Sequence, residues 1–239
     1  MLAGSVAGCS TVAEDDGMKR VRAALMAWVM VATVAGNAAI GQIEPGFEPL
    51  FDGRTLAGWN GDTAKTWRVE EGAIVAGSDT VATPRNEFLA TDREFSDFEL
   101  RLEYALEFTR AGNAGVQFRS RRLPDHHEVS GYQADIGPGY FGALYDESRR
   151  NRILARPDDT IVAGALAAAR DGWNDYRIRC QGPRVQLWLN GVPTVDWTES
   201  EPESAVARRG MIALQIHGGM VGTIRYRKLR LQPLPLGQL

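Results

Sequence analysis

Cysteine is almost absent from the 239 residues: only Cys9 and Cys180 occur, and histidine is nearly as scarce, with three. No Gly-x-Ser-x-Gly, zincin or phosphate-loop pattern appears in the chain, which removes the commonest signatures of nucleophilic, zinc and nucleotide chemistry. Internal repeats and low-complexity linkers are missing as well, so neither a solenoid nor an array of modules is expected. Neither sign of charge prevails, since 27 Lys and Arg face 30 Asp and Glu, interspersed, for a formal net charge of -3. A nucleic-acid partner would call for a basic stripe, and anionic lipid for a polybasic cluster. Neither is present. A run of the ~20 apolar residues that span a bilayer is also missing.

What is present begins at the N-terminus. Met18-Lys19-Arg20-Val21-Arg22 supplies a basic start, and Ala23 to Val34 is apolar and uncharged until Gly36 and Asn37 interrupt it. Ala39 and Gly41 then stand at -3 and -1 of a cut before Gln42, the layout of a secretory signal peptide over 18–41. Met18 reads as the true start, with the first 17 residues coming from an over-long gene model. Val6-Ala7-Gly8-Cys9 has the outline of a lipobox, but nothing basic precedes it and no apolar segment fits before it, so anchoring at Cys9 is not expected. The expectation is a leader over 1–41 and a secreted or periplasmic domain over 42–239, with no stable membrane span once the signal is removed. Only Cys180 survives that cut, which excludes an intramolecular disulfide. Its thiol continues the alternation of Tyr176 and Ile178 and is expected in the core.

Period-two alternation dominates the rest of the chain. Phe98 to Tyr104 and Val185 to Leu189 alternate apolar with polar, and the second run leads into Asn190-Gly191, a strong hairpin signal. Trp67-Arg68-Val69 and Ala73-Ile74-Val75 flank Glu70-Glu71-Gly72 as a second hairpin, and two late strands, Ile212 to His217 and Thr223 to Leu231, are joined at Gly218-Gly219. Helical signal is confined to Ile161 to Ala169. Many short strands at this spacing predict an all-β sandwich of two antiparallel sheets in a single domain.

Alternation also sorts side chains by face. Val116 and Phe118 face one way, Gln117 and Arg119 the other. Gln133 shares a face with Asp135, and Gln215 shares one with His217. Three strands thus each offer two polar groups at i and i+2. Solvated faces usually carry Lys, Glu, Thr and Ser, so Gln, Asp, His and Arg on otherwise apolar strands fit a ligand groove better than an ordinary wet face. A curved sheet with such a face suits a sugar, with Trp173, Tyr132, Tyr140, Tyr145 and Trp188 as candidate stacking rings. His126-His127 lies in a polar loop and its adjacent side chains diverge, which favours a solvated loop over a ligand pair. Gly137 to Gly142 reads as a loop over the groove.

At these residues the sequence resembles the 3-keto-disaccharide hydrolase domain family, long catalogued as a domain of unknown function. The resemblance is carried by Pro49-Leu50-Phe51-Asp52-Gly53, Gly58-Trp59, Asn113-Ala114-Gly115-Val116 and Gly131-Tyr132-Gln133-Ala134-Asp135. It continues through Gly142-Ala143-Leu144-Tyr145-Asp146-Glu147, Trp173-Asn174 and Gly210 to His217. It implies a concanavalin-like jelly roll acting on glycosides oxidised at C3. One departure stands out: many relatives carry Glu at the position of Gln133 and Gln at that of Asp135. A C3 ketone acidifies the C2 proton, so such a substrate needs a base at C2, an electrophile for the enolate oxygen and an acid for the leaving group. Asp135 and His217 are the expected base and acid, with Arg119 and Gln215 on the oxyanion, alone or through a divalent metal. Gln117, Gln133, Tyr132 and Trp173 are expected to bind the sugar, and Tyr145, Asp146 and Glu147 to position its hydroxyls. Two alternatives stand beside this one: a non-catalytic carbohydrate-binding module, and a conventional glycosidase with Asp135 and Glu147 as its carboxyl pair. The second is disfavoured because endo-β-glucanases place their acids at i and i+4 on one strand.

Overall fold

The computed structural model describes residues 44–202 and 205–236, so the leader expected over 1–41, the cut before Gln42 and Cys9 lie outside the described residues. The alternating runs pair into two antiparallel sheets. One sheet runs, edge to edge, β13 (Val192–Thr198), β12 (Arg184–Leu189), β11 (Asn174–Gln181), β6 (Phe98–Arg110), β15 (Val221–Pro233), β4 (Ala73–Ser78) and β3 (Trp67–Glu70), and the short β1 (Glu48–Pro49) also pairs with β15. The other runs β10 (Arg152–Ala155), β9 (Leu144–Glu147), β8 (Val129–Ile136), β7 (Ala114–Arg122), β14 (Gly210–Ile216), β5 (Glu87–Phe95) and β2 (Trp59–Asn60). One helix, α1 (Asp159–Ala167), occurs among the described residues, two residues ahead of the expected segment. No helix among them is long and apolar enough to cross a membrane.

Each sheet turns its apolar side chains toward the other. Leu100, Leu102, Ile178 and Tyr226 of the eight-stranded sheet meet Val116, Phe118, Ala134 and Leu214 of the seven-stranded one in a single buried cluster. Cys180 is part of it, and burial pushes its thiol up to about 12, which leaves it an inert core residue. Asn190 and Gly191 take φ of 51° and 80° between β12 and β13, as a type I′ hairpin turn requires. The Gly218-Gly219 connection joins the two late strands, as expected. β14 and β15 lie in different sheets, so the chain crosses the sandwich there instead of making a hairpin.

The seven-stranded sheet is buried on both faces along two of its strands. Every residue of β8 and of β14 is buried, although an antiparallel sheet commonly leaves one face to water. Part of its outer face is apolar, a small cluster of Phe88, Ala90, Val129, Met211 and Ala213. The remainder carries Gln117, Gln133, Asp135 and Gln215, all nearly or fully excluded from solvent.

Arg119 does not join them. The pairing of β7 with β8 slips between Phe118 and Arg121, an extra residue that forms a bulge, and Arg119 sits in it with φ of 49°. Its guanidinium turns to the end of the sandwich. There Nε donates to the Ser96 carbonyl, Nη1 to the Gly182 carbonyl and Nη2 to Asp97 Oδ1, each at 2.8 Å. Asp97 Oδ2 in turn accepts from the Gly182 amide at 2.9 Å. The expected oxyanion ligand is therefore a staple between two turns, because a bulge shifts the alternation on which its assignment rested.

Removing one member of a buried, fully bonded ion pair costs about 3–5 kcal/mol. Arg119→Met is expected to lower Tm by about 10 °C in a domain of this size. A Tm within 2 °C of the parent in a thermal melt would mean the staple carries no stability.

Candidate functional site

The site is built on the outer face of the seven-stranded sheet. Register places Gln215 opposite Gly115 and Gly115 opposite Asp135, one row across β14, β7 and β8. The next row holds Ala213, Gln117, Gln133 and Tyr145 across β14, β7, β8 and β9. Gly115 has no side chain for a reason: a Cβ there would lie 2.5 Å from Gln133 Cδ, so Gln133 lies across the space a larger residue would fill.

The opposite sheet fixes this floor from beneath. The Tyr226 hydroxyl lies 3.0 Å from the Gly115 carbonyl and 2.9 Å from that of Gln215, and the Tyr176 hydroxyl donates to the Asp135 carbonyl at 3.1 Å. Asp135 is further held by its amide on the Ala143 carbonyl at 3.0 Å. All three floor residues thus have backbones tied across the core.

Above the floor opens a cleft of about 510 Å³, lined by Gln133, Asp135, Tyr145, Glu147 and Gln215 from strands of this sheet, by His217 just after β14, by Phe108 near the end of β6, and by Asn86, Asn113, Pro138 and Tyr140 from the loops. Of the expected residues, the structure brings Gln133, Asp135, Tyr145, Glu147, Gln215 and His217 together. Gln117 lies beneath them, fully buried, with its Nε2 donating to Gln133 Oε1 at 2.8 Å. Tyr140 lies on the expected covering loop and is exposed.

The structure places the other expected ligands elsewhere. Tyr132 faces the core, stacked on Phe118 with centroids 5.6 Å apart, and its hydroxyl donates to Glu199. Asp146 is wholly buried and holds Arg149 and Arg150, the latter reaching on to Glu199. Both belong to the inward face of their strands, one residue out of step with Gln133, Tyr145 and Glu147. Trp173 lines a separate polar cleft on the outer face of the eight-stranded sheet, with the Arg227 guanidinium 3.8 Å from its ring centroid. Trp188 lies under Arg177 on that same sheet.

Electrostatics single out the two carboxyls. Burial pushes Asp135 up to about 8, against the pull of a hydrogen bond from Gln133 and with added repulsion from Glu147. Burial likewise pushes Glu147 up to about 7, aided by the Glu128 and Asp146 carboxylates and opposed by the Ser148 amide. Asp135 Oδ1 accepts from Gln133 Nε2 at 2.6 Å, while Oδ2 is buried without a protein partner. Gln215 is in the same condition at both Nε2 and Oε1. Buried polar atoms are otherwise nearly always paired. Three such atoms on one cleft floor mark where a polar ligand belongs.

His217 follows β14. Its amide donates to the Asn113 carbonyl at 3.1 Å, and its Nδ1 lies 2.7 Å from the Gly218 carbonyl. A carbonyl can only accept, so Nδ1 carries the proton, and in the neutral ring Nε2 keeps its lone pair. Asn86 braces this turn, accepting from the Gly218 amide at 2.9 Å and donating to Glu128 at 3.0 Å. Asn86 and Phe108 gave no sequence signal, because each enters the cleft from a strand end or loop where periodicity says nothing.

Asp135 already has one oxygen engaged by an amide, and no group of three or more His, Cys, Asp or Glu among the described residues is placed to hold a metal.

A two-sheet sandwich with a polar, partly unsatisfied cleft on one sheet is an architecture suited to a polar ligand. The chain belongs to the 3-keto-alpha-glucoside-1,2-lyase-like domain family, whose profile matches residues 46–232. Its role is accordingly related to carbohydrate. No curated protein matches the chain. Two solved proteins from Parabacteroides distasonis, provisionally named glycosyl hydrolases, share the fold. One has a TM-score of 0.57 at 16% identity, covering 80% of this chain and 95% of its own; the other has 0.56 at 20%, covering 79% and 99%. The carbohydrate binding module CBM66 from Bacillus subtilis is similar in fold at 0.54 and 15% identity, covering 72% and 94%.

Raised carboxyls make stability depend on pH. Between the unfolded values near 4 and the folded values of about 7 and 8, the folded state holds more protons than the unfolded one, so stability falls as pH rises through that window. Asp135→Asn removes the larger share. Its Tm is expected to match the parent near pH 4 and to exceed it by several degrees at pH 9. Melting curves that fall in parallel from pH 4 to 9 would refute the raised carboxyl.

Proposed function

We propose that the cleft cleaves glycosides oxidised at C3, by elimination across C1 and C2. The observation that carries this reading is the set of unpartnered atoms on the floor: Asp135 Oδ2 and, in the same row across Gly115, Gln215 Nε2 and Oε1. A carboxyl held neutral near pH 7 can give up a proton, and an amide N–H in a water-poor site can steady a developing oxyanion.

In the proposed sequence, His217 Nε2 takes the C2 proton, and the electron pair moves into the C2–C3 bond as the C3 carbonyl becomes an enolate. Gln215 Nε2 donates to that oxygen. The enolate then collapses, the C1–O bond breaks, and Asp135 Oδ2–H protonates the departing oxygen. The products are the free aglycone alcohol and a 1,2-unsaturated 3-keto sugar. Water adding at C1 would turn the outcome into net hydrolysis. Glu147 and Tyr145 border the ring, and the exposed rings of Phe108 and Tyr140 form the mouth. With the acid on Asp135 and the base on His217, the departure from the family pattern at Gln133 and Asp135 sets the acid in the row of Gly115 and Gln215.

Likeness in fold to CBM66 supports a second reading, a module that binds glycans and turns over nothing. The two readings differ in what they do to plain sugars.

With a 3-keto-glucoside as substrate, Asp135→Asn and His217→Ala are each expected to lower kcat at least 10³-fold, and Gln215→Leu by about 10²–10³-fold. Because Asp135 must be protonated, parental activity is expected to fall as pH rises through about 8. Calorimetry with unoxidised oligosaccharides is expected to show no tight binding. Tight binding of those sugars together with no turnover of the keto-glucoside would establish the module instead.

A further inference from the structure

Behind the cleft, four polar side chains form one line. The Ser120 hydroxyl donates to Gln117 Oε1 at 2.8 Å, Gln117 Nε2 donates to Gln133 Oε1 at 2.8 Å, and Gln133 Nε2 donates to Asp135 Oδ1 at 2.6 Å. Ser120 and Gln117 have 1% and 0% of their surface exposed, so neither can touch a substrate. Two glycines make room for the line. A Cβ on Gly131 would lie 2.1 Å from Ser120 Oγ, and one on Gly115 would lie 2.5 Å from Gln133 Cδ. The bulge that sends Arg119 away also brings Ser120 back to the outer face, over Gln117.

Direction matters in such a line. An amide has a donating end and an accepting end, and turning it round exchanges the two for both of its neighbours at once. The single Ser120 hydroxyl proton is shared between Gln117 Oε1 at 2.8 Å and the Phe118 carbonyl at 3.0 Å, and the shorter bond presents Gln117 with a proton for its carbonyl. That aims the Gln117 amide N–H at Gln133, which in turn aims its own N–H at Asp135.

We propose that Ser120 and Gln117 are positioning residues for Asp135: their relay locks Gln133 with its N–H toward Oδ1, so that Oδ2 is always the oxygen facing the cleft. The inference rests on the proposed role of Asp135 as acid. Reversed, Gln133 would present a carbonyl to Asp135, Oδ1 would have to bear the proton, and the acid would point at the sheet instead of at the leaving group. The groups that face Asp135 from the neighbouring elements are Glu147 and Tyr145 on β9, Tyr140 on the covering loop and His217 after β14, with the Tyr176 hydroxyl on its backbone from β11. None of them touches Gln117 or Ser120 by a hydrogen bond, so a change at the relay reaches Asp135 through Gln133 alone.

The test is a pair of variants, Gln117→Met and Ser120→Ala, read in two ways. Carbon-13 NMR of aspartate-labelled protein follows the Asp135 carboxyl, identified by its loss in Asp135→Asn. Turnover of a 3-keto-glucoside gives the pH profile of kcat. Loss of a hydrogen bond that favours the charged form moves a carboxyl upward. Gln117→Met is expected to move the Asp135 titration up by about one pH unit, and to carry the alkaline limb of kcat with it while KM stays within threefold. Ser120→Ala, the milder change, is expected to move both the same way by less and guards against a failure of Gln117→Met to fold. If either folded variant lost stability but left the Asp135 titration within 0.2 pH unit of the parent, roughly a tenth of the shift a full charged hydrogen bond commands, the relay would be only packing and the proposal overturned. If the titration moved while the kcat limb stayed, the relay would stand and the acid role of Asp135 would fall.

Discussion

The site follows from one constraint: at β8 and β14 the seven-stranded sheet has no wet face. Its inner face packs on the other sheet, and its outer face is closed off by its own side chains and by the elements around the cleft. Polar groups on a buried face must satisfy one another or be stranded at a cost of ~1–3 kcal/mol each. Ser120, Gln117, Gln133 and Asp135 resolve most of that cost by bonding in series. The series has to end somewhere, and it ends at Asp135 Oδ2, where the cleft begins. An apolar outer face, like the part around Phe88 and Ala213, would be more stable and would bind nothing polar.

The same economy governs the core. Tyr176 and Tyr226 bring hydroxyls into an otherwise apolar interior, where each needs a partner. They find those partners in the backbone carbonyls of Asp135, Gly115 and Gln215. Satisfying the tyrosines and fixing the cleft floor are thus one set of hydrogen bonds. Burial accordingly drives both phenols well above their usual range, which keeps them as neutral donors.

Much of this was legible in the sequence, and the reasons for the exceptions are physical. Alternation identifies which residues share a face when a strand is regular, as in β8, where Gln133 and Asp135 fall together, and in β14, where Gln215 does. It fails at Arg119, since one extra residue in β7 redirects the side chain and composition does not announce a bulge. Tyr132 and Asp146 were expected in the groove through neighbours with which they alternate; adjacency along a strand puts a residue on the opposite face. Trp173 is on the other sheet altogether, a matter of topology that no local pattern encodes. Nor could periodicity bring in Asn86 and Phe108, which reach the cleft from where strands end. At Gly218-Gly219 the sequence marks the turn between two strands but not the crossing, because glycine marks a change of direction without saying which sheet comes next.

That crossing has a mechanical consequence. His217 is the first residue after the last strand of one sheet, and four residues later the chain is already part of the other, at Val221. The imidazole therefore rides on a short strut whose two ends are anchored in opposite walls of the sandwich. Small changes in the spacing of those walls, from hydrostatic compression or from a truncated core side chain, are transmitted to it with little slack. The proposed base and the internal packing are coupled through the same residue, so a looser core is expected to detune the cleft before it unfolds the domain.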